Sequence, residues 1–109
     1  MKYIGNAFSF QMLIGKGGNL EWENISQTTF LKETKDAKSC VGNTDIANIL
    51  GVEYNREPIC LKEGDLLYLC QLYGKKLPTG ATKLPKDCKF KYFKIKVNNE
   101  VYWNGMGRS

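Results

Sequence analysis

The residues equipped for covalent or metal chemistry are four cysteines, Cys40, Cys60, Cys70 and Cys88, in a chain with no histidine at all. Without imidazole there is no Ser-His or Cys-His nucleophile pair, no neutral-pH imidazole proton transfer and no zinc site that uses a His ligand. Acid-base work would fall to Lys, Tyr, Asp or Glu. The cysteines make no C-x-x-C knuckle, so a four-thiolate zinc site is not expected and no metal or cofactor is assigned. Free, buried thiols are the expectation in a chain read as cytosolic.

The second chemical resource is positive charge. The net charge is +5, and residues 74 to 97 hold eight lysines (75, 76, 83, 86, 89, 91, 94 and 96) against one acid, Asp87, a local balance of +7. The rest of the chain, with eight basic and ten acidic residues, balances at −2. Such a field suits an anionic partner: nucleic acid, a nucleotide or a phosphorylated signal. Lysines along the wet face of a strand would give the same pattern.

The elements that must position these groups fit one domain spanning 1–109. The chain is 109 residues long, 42% apolar and 25% charged, enough for a single core, with an aromatic and glycine-rich tail from about residue 98. No stretch approaches the roughly 20 apolar residues of a membrane-spanning helix. Lys2 to Phe8 reads as a strand, Ser9 as a cap, and Phe10, Met12 and Leu13 as a short helix. Gly15-Lys16-Gly17-Gly18-Asn19 is a connector without P-loop spacing. Leu20 to Ile25 alternates as a strand with Leu20 and Trp22 inward.

Ser26 opens a helix over about Gln27 to Ala37, with Phe30, Leu31 and Thr34 as its inner face. A second helix starts at an Asn43 or Thr44 cap, carries Ile46, Ala47, Ile49 and Leu50, and ends at Gly51. Its N-terminus after Gly42 suits phosphate oxygens. Pro58 to Lys62 and Asp65 to Leu72 read as strands around a Glu63-Gly64 turn, the second central because it is apolar on both faces. Tyr73 to Thr82 is a loop. Lys89 to Val97 is a strand with Phe93, Ile95 and Val97 on one face and Phe90, Tyr92, Lys94 and Lys96 on the other; that second face can stack a base or pack against another subunit. The pattern predicts an α/β fold, a mixed β-sheet with short flanking helices.

Four groups of residues together carry a resemblance: Asn6-Ala7-Phe8-Ser9 with Met12-Leu13, Val41-Gly42-Asn43 through Ile49, Asn55-Arg56, and Asp65-Leu66-Leu67-Tyr68 leading to Lys76-Leu77-Pro78-Thr79-Gly80. In order and spacing they resemble the archaeal-virus and phage family that includes the type III anti-CRISPR ring nucleases. That resemblance implies a homo-oligomer enclosing a cyclic oligoadenylate, with Asn6, Ser9, Asn43, Arg56 and Lys76 in the pocket. Where the nuclease branch has Gly-His, this chain has Gly42-Asn43. Asn has no proton to donate as general acid, a loss of about 10²- to 10⁴-fold in rate.

The run Lys76 to Pro85, with Asp45 to Val52 and Asn55-Arg56, is more similar to the non-catalytic phage Thoeris anti-defence sponges. This branch implies capture of glycocyclic ADP-ribose, and of cyclic trinucleotides through Arg56, Lys76 and Thr82, by a dimer or hexamer in the host bacterial cytoplasm. Phe90, Tyr92 and Arg108 are candidates for the ADP-ribose site. The residues also have plainer uses: Asn43 and Ser9 as caps, Asn6 bonded to neighbouring backbone, Arg56 paired with Glu53 or Glu57. The expectation is therefore a binding module and not an enzyme. Its rivals are a slow ring nuclease and a small basic nucleic-acid-binding viral regulator, the last without an RRM, helix-turn-helix or zinc-finger signature.

Overall fold

A computed structural model describes residues 1–13 and 18–98. Five strands and two helices follow one another as β1 (Lys2–Gly5), β2 (Asn19–Ile25), α1 (Gln27–Glu33), β3 (Lys38–Cys40), α2 (Thr44–Leu50), β4 (Leu66–Gly74) and β5 (Cys88–Asn98), with a 3₁₀ turn at Phe10–Met12. They form one α/β domain around a mixed sheet of order β2-β5-β4-β1-β3. β4, β1 and β3 run parallel, whereas β5 is antiparallel to both β4 and β2.

The sheet separates two apolar clusters. Tyr68 and Cys70 of β4 point to the face that α1 and α2 cover with Phe30, Ile46 and Ala47. Leu67 and Leu69, one residue out of phase, meet Ile95 and Val97 under Phe8, Met12, Leu13 and Leu61. Period two thus buries both sides of the middle strand, as its continuous apolar run requires.

Local chemistry sets the helix bounds. The Ser26 hydroxyl accepts from Thr29 N–H, and the Asn43 side chain accepts from Ile46 N–H at 2.9 Å. Gly51 closes α2 in the left-handed conformation at φ 73°, where a Cβ is disfavoured. α1 stops at Glu33, short of the expected Ala37. The Thr34 hydroxyl there donates back to Phe30 carbonyl at 2.7 Å and the chain turns into β3.

Several other expectations are corrected. Pro58 to Lys62 is not a strand; only Leu61 bridges to Leu13, because the segment's neighbour is the exit of a 3₁₀ turn and Pro58 has no N–H to give. Trp22 is 68% exposed, since it sits on edge strand β2 past the end where Leu20 joins the core, and Leu31 lies on the outer side of α1. β4 extends through Tyr73 to Gly74, where a loop was expected. Cys70 and Cys88 are free and buried, whereas Cys60 is exposed and Cys40 half-buried. The connector Gly15-Lys16-Gly17 and the tail with Arg108 lie outside the described residues.

Candidate functional site

The ends of β1 and β3 lie side by side, with Gly5 in register with Cys40. From there the chain departs in opposite directions. After β1 it places Phe8, Met12 and Leu13 on one face of the sheet, and after β3 it places Val41, Ile46 and Ala47 on the other. Such divergence opens a crevice beyond the carboxyl ends of parallel strands, the general location of ligand sites in open α/β sheets. A cleft of about 320 Å³ occupies it, lined by Gly5, Asn6, Cys40, Gly42, Asn55 and Arg56, with Glu57, Pro58, Ile59, Ala7 and Met12 around them.

The polar groups of the cleft are held in place by short-range bonds. Asn6 Oδ1 accepts from Gly42 N–H at 3.0 Å, tying the β1 exit to the β3 exit and fixing the amide so that its NH₂ stays available. Asn55 is used up in scaffolding: Nδ2 donates to Ser39 carbonyl at 3.1 Å and Oδ1 accepts from Glu57 N–H at 2.9 Å. This Asx turn, together with Asn55 N–H donating to Val41 carbonyl at 2.9 Å, places Arg56 at the mouth. Gly42 faces Arg56, with room for a Cβ 3.6 Å from Arg56 Cγ. Burial pushes the Cys40 thiol up, so at neutral pH it is an uncharged lining group and not a nucleophile. Among the described residues no cluster of three or more His, Cys, Asp or Glu could hold a metal ion.

Of the residues singled out from sequence, the cleft brings Asn6 and Arg56 together. The rest lie elsewhere. Ser9 caps the 3₁₀ turn by accepting from Gln11 N–H at 3.2 Å. Asn43 stands beside Gly42, its side-chain oxygen committed to capping α2. The N-terminus of that helix is already supplied with a carboxylate: Asp45 sits in its first turn and accepts from Gly80 N–H at 3.1 Å. This bond brings the 75–82 segment against α2, but Lys76 and Thr82 are exposed and do not line the cleft.

Phe90 and Tyr92 belong to a different place. Tyr92 packs on Phe30 with ring centroids 4.7 Å apart and is 8% exposed. It and Phe90 both line a second cleft, beside the start of α1, with Asn24, Gln27, Leu84, Lys89 and Lys91. Sequence reasoning placed an anion beside Gly42 but did not pick out Glu57 or Cys40 as lining groups. Cys40 was detectable only through β3, whose three residues are too short to show a period.

No protein-family model matches the sequence, and no curated protein matches it significantly. Among solved structures, the fold is similar to that of B116 of Sulfolobus turreted icosahedral virus, with a TM-score of 0.73 and 18% identity over 87% of this chain and 97% of that one. The likeness establishes a shared fold across nearly the whole chain.

Proposed function

We propose that this chain is a binding module that captures a small cyclic nucleotide and does not cleave it. The observation that carries the reading is the crevice at the ends of β1 and β3, a cleft lined by both a guanidinium (Arg56) and an amide anchored to Gly42 N–H (Asn6). A phosphodiester oxygen takes charge-assisted hydrogen bonds from such donors, and Glu57 beside them accepts from a hydroxyl or amino group. Capture without turnover follows from what the chain lacks: there is no imidazole anywhere in it, and Asn43 takes the place of the ring nucleases' His.

A cleft of about 320 Å³ stands at the small end of ordinary ligand sites, roughly 300–1,000 Å³, and encloses only part of a cyclic trinucleotide or glycocyclic ADP-ribose. The proposal therefore includes a homo-oligomer in which a second copy completes the enclosure. The likeness to B116 is consistent with a viral origin, and the sponge resemblance in the sequence is what places this module, in the proposal, among viral anti-defence proteins acting in a bacterial host's cytoplasm. A thermal-shift screen against cyclic di- and trinucleotides, cyclic tetra-adenylate and cyclic ADP-ribose isomers tests it. At least one ring raises the melting temperature in proportion to log concentration; no shift with any of them refutes the reading.

A further inference from the structure

A second surface lies on the open side of the sheet. Residues directly opposed in a sheet share a face, and the register places Trp22 opposite Ile95, Asn24 opposite Phe93, Gln71 opposite Lys91 and Tyr73 opposite Lys89. All eight side chains therefore lie on the face away from α1 and α2. Phe8, Met12, Leu13 and Leu61 cover one end of that face, over Leu67 and Val97. The other end is open: Trp22 is 68% and Tyr73 39% exposed, and Asn24 and Lys89 are exposed too.

What the open end displays is rings and cations. Trp22 and Phe93 form a tilted pair with centroids 6.0 Å apart, and Lys91 Nζ sits 4.6 Å from the centroid of the Tyr73 ring. Tyr73 is four residues along β4 from Leu69, the partner of Phe93, about 13 Å at roughly 3.3 Å per residue. The side chains that β2, β4 and β5 send to this face include no carboxylate. Glu21 and Glu23 point the other way, opposite Lys96 and Lys94. The charge is therefore sorted by face as well as by segment. Beyond Ile25, where β2 ends, a cleft of about 410 Å³ opens around the side of β5, with Asn24, Lys89 and Lys91 from this face and Gln27, Phe90 and Tyr92 from the helix side in its lining.

We propose that this face binds single-stranded nucleic acid, its bases stacking on Trp22 with Phe93 and on Tyr73, and its phosphates meeting Lys89 and Lys91. Base stacking on exposed rings tolerates any sequence because every base has a π-face, and the lysines between the rings follow the backbone. Duplex DNA keeps its bases inside and cannot use the rings. An acidic protein could use the lysines but gains nothing base-specific from the aromatics.

The test is fluorescence anisotropy on the intact chain with labelled single-stranded oligothymidine and oligouridine of about 15 nucleotides, a duplex of equal length and a polyglutamate peptide. The expected result is binding of single strands in preference to duplex and peptide, the DNA and RNA arms showing which sugar is preferred. Trp22→Ala and Tyr73→Ala each weaken it by about fivefold to a hundredfold with the salt dependence unchanged. Lys91→Ala makes the log–log salt slope shallower by about 0.7. Gly42→Leu, placed in the other cleft, leaves it intact. Thermal melts confirm that the variants are folded. No single-strand binding, equal binding of duplex or polyglutamate, or wild-type affinity in both aromatic variants overturns the proposal.

Discussion

Replacing Arg56 by Ala isolates the cationic half of the cleft. Arg56 is exposed, no ion pair to it is found among the described residues, and the local turn is held by Asn55, so the substitution removes the proposed ligand contact and leaves the scaffold. A hydrogen bond to a charged group is worth about 1.5–3 kcal/mol. One such bond from Arg56 to a phosphodiester oxygen then weakens binding by about 13- to 160-fold at 25 °C. Isothermal titration calorimetry with whichever ring nucleotide the thermal screen selects reads this directly. Gly42→Leu supplies the steric counterpart. Gly42 is not among the positive-φ glycines, so a side chain there meets no backbone strain, and a Cβ stands in ordinary contact with Arg56, 3.6 Å from its Cγ. The substitution abolishes binding with the melting temperature kept. An affinity changed less than threefold by both substitutions would refute the placement of the ligand in this crevice.

Three further outcomes follow from the fold. Gly74, at φ 108°, has the Asp87 carbonyl and the Cys88 Cα crowding the place where a Cβ would sit, so Gly74→Ala costs more than about 2 kcal/mol in urea denaturation; an unchanged midpoint contradicts the hairpin geometry. The Tyr68 hydroxyl, donating at 2.7 Å, and then Lys94 hold the Glu33 carboxyl below its ordinary value of 4.5. A lowered carboxyl stabilises the fold above that value, and the contribution is lost as pH falls through the folded-state value. Melting temperature therefore drops on acidification below about pH 4.5, and Glu33→Gln flattens the drop; identical pH profiles for both proteins count against the network. Burial pushes the Cys70 thiol up to about 12, and the side chain is fully covered. A thiol reagent labels exposed Cys60 quickly and Cys70 only after unfolding, and fast labelling of Cys70 in the native protein contradicts its burial.

The sequence showed those parts of the fold where local chemistry and burial agree. β4 was identifiable as the middle strand because Leu67 and Leu69 on one side and Tyr68 and Cys70 on the other are both covered. α2 was bounded at both ends by Asn43 and Gly51, whose side-chain bond and left-handed backbone do the capping. β3 was not legible: three residues carry no period, and the strand exists because β1 offers it an edge. Trp22 shares the apolar face of Leu20, as alternation indicated, but periodicity does not say how far along a face the cover extends, and Trp22 lies beyond it.

The site was legible in part for a similar reason. Asn6 and Arg56 lie 50 positions apart and line one cleft through the parallel pairing of β1 with β3, which spacing in the sequence does not reveal. Lys76 and Thr82 shared a loop in the sequence, and the Asp45 bond to Gly80 places that loop against α2 and not in the cleft.

The central claim, capture without cleavage, is tested most directly by recovering the ligand. The protein is incubated with the selected cyclic nucleotide, denatured by heat, and the supernatant resolved by chromatography. The account predicts intact ring released in proportion to the protein present, however long the incubation. Linear product accumulating beyond one equivalent per site would contradict it.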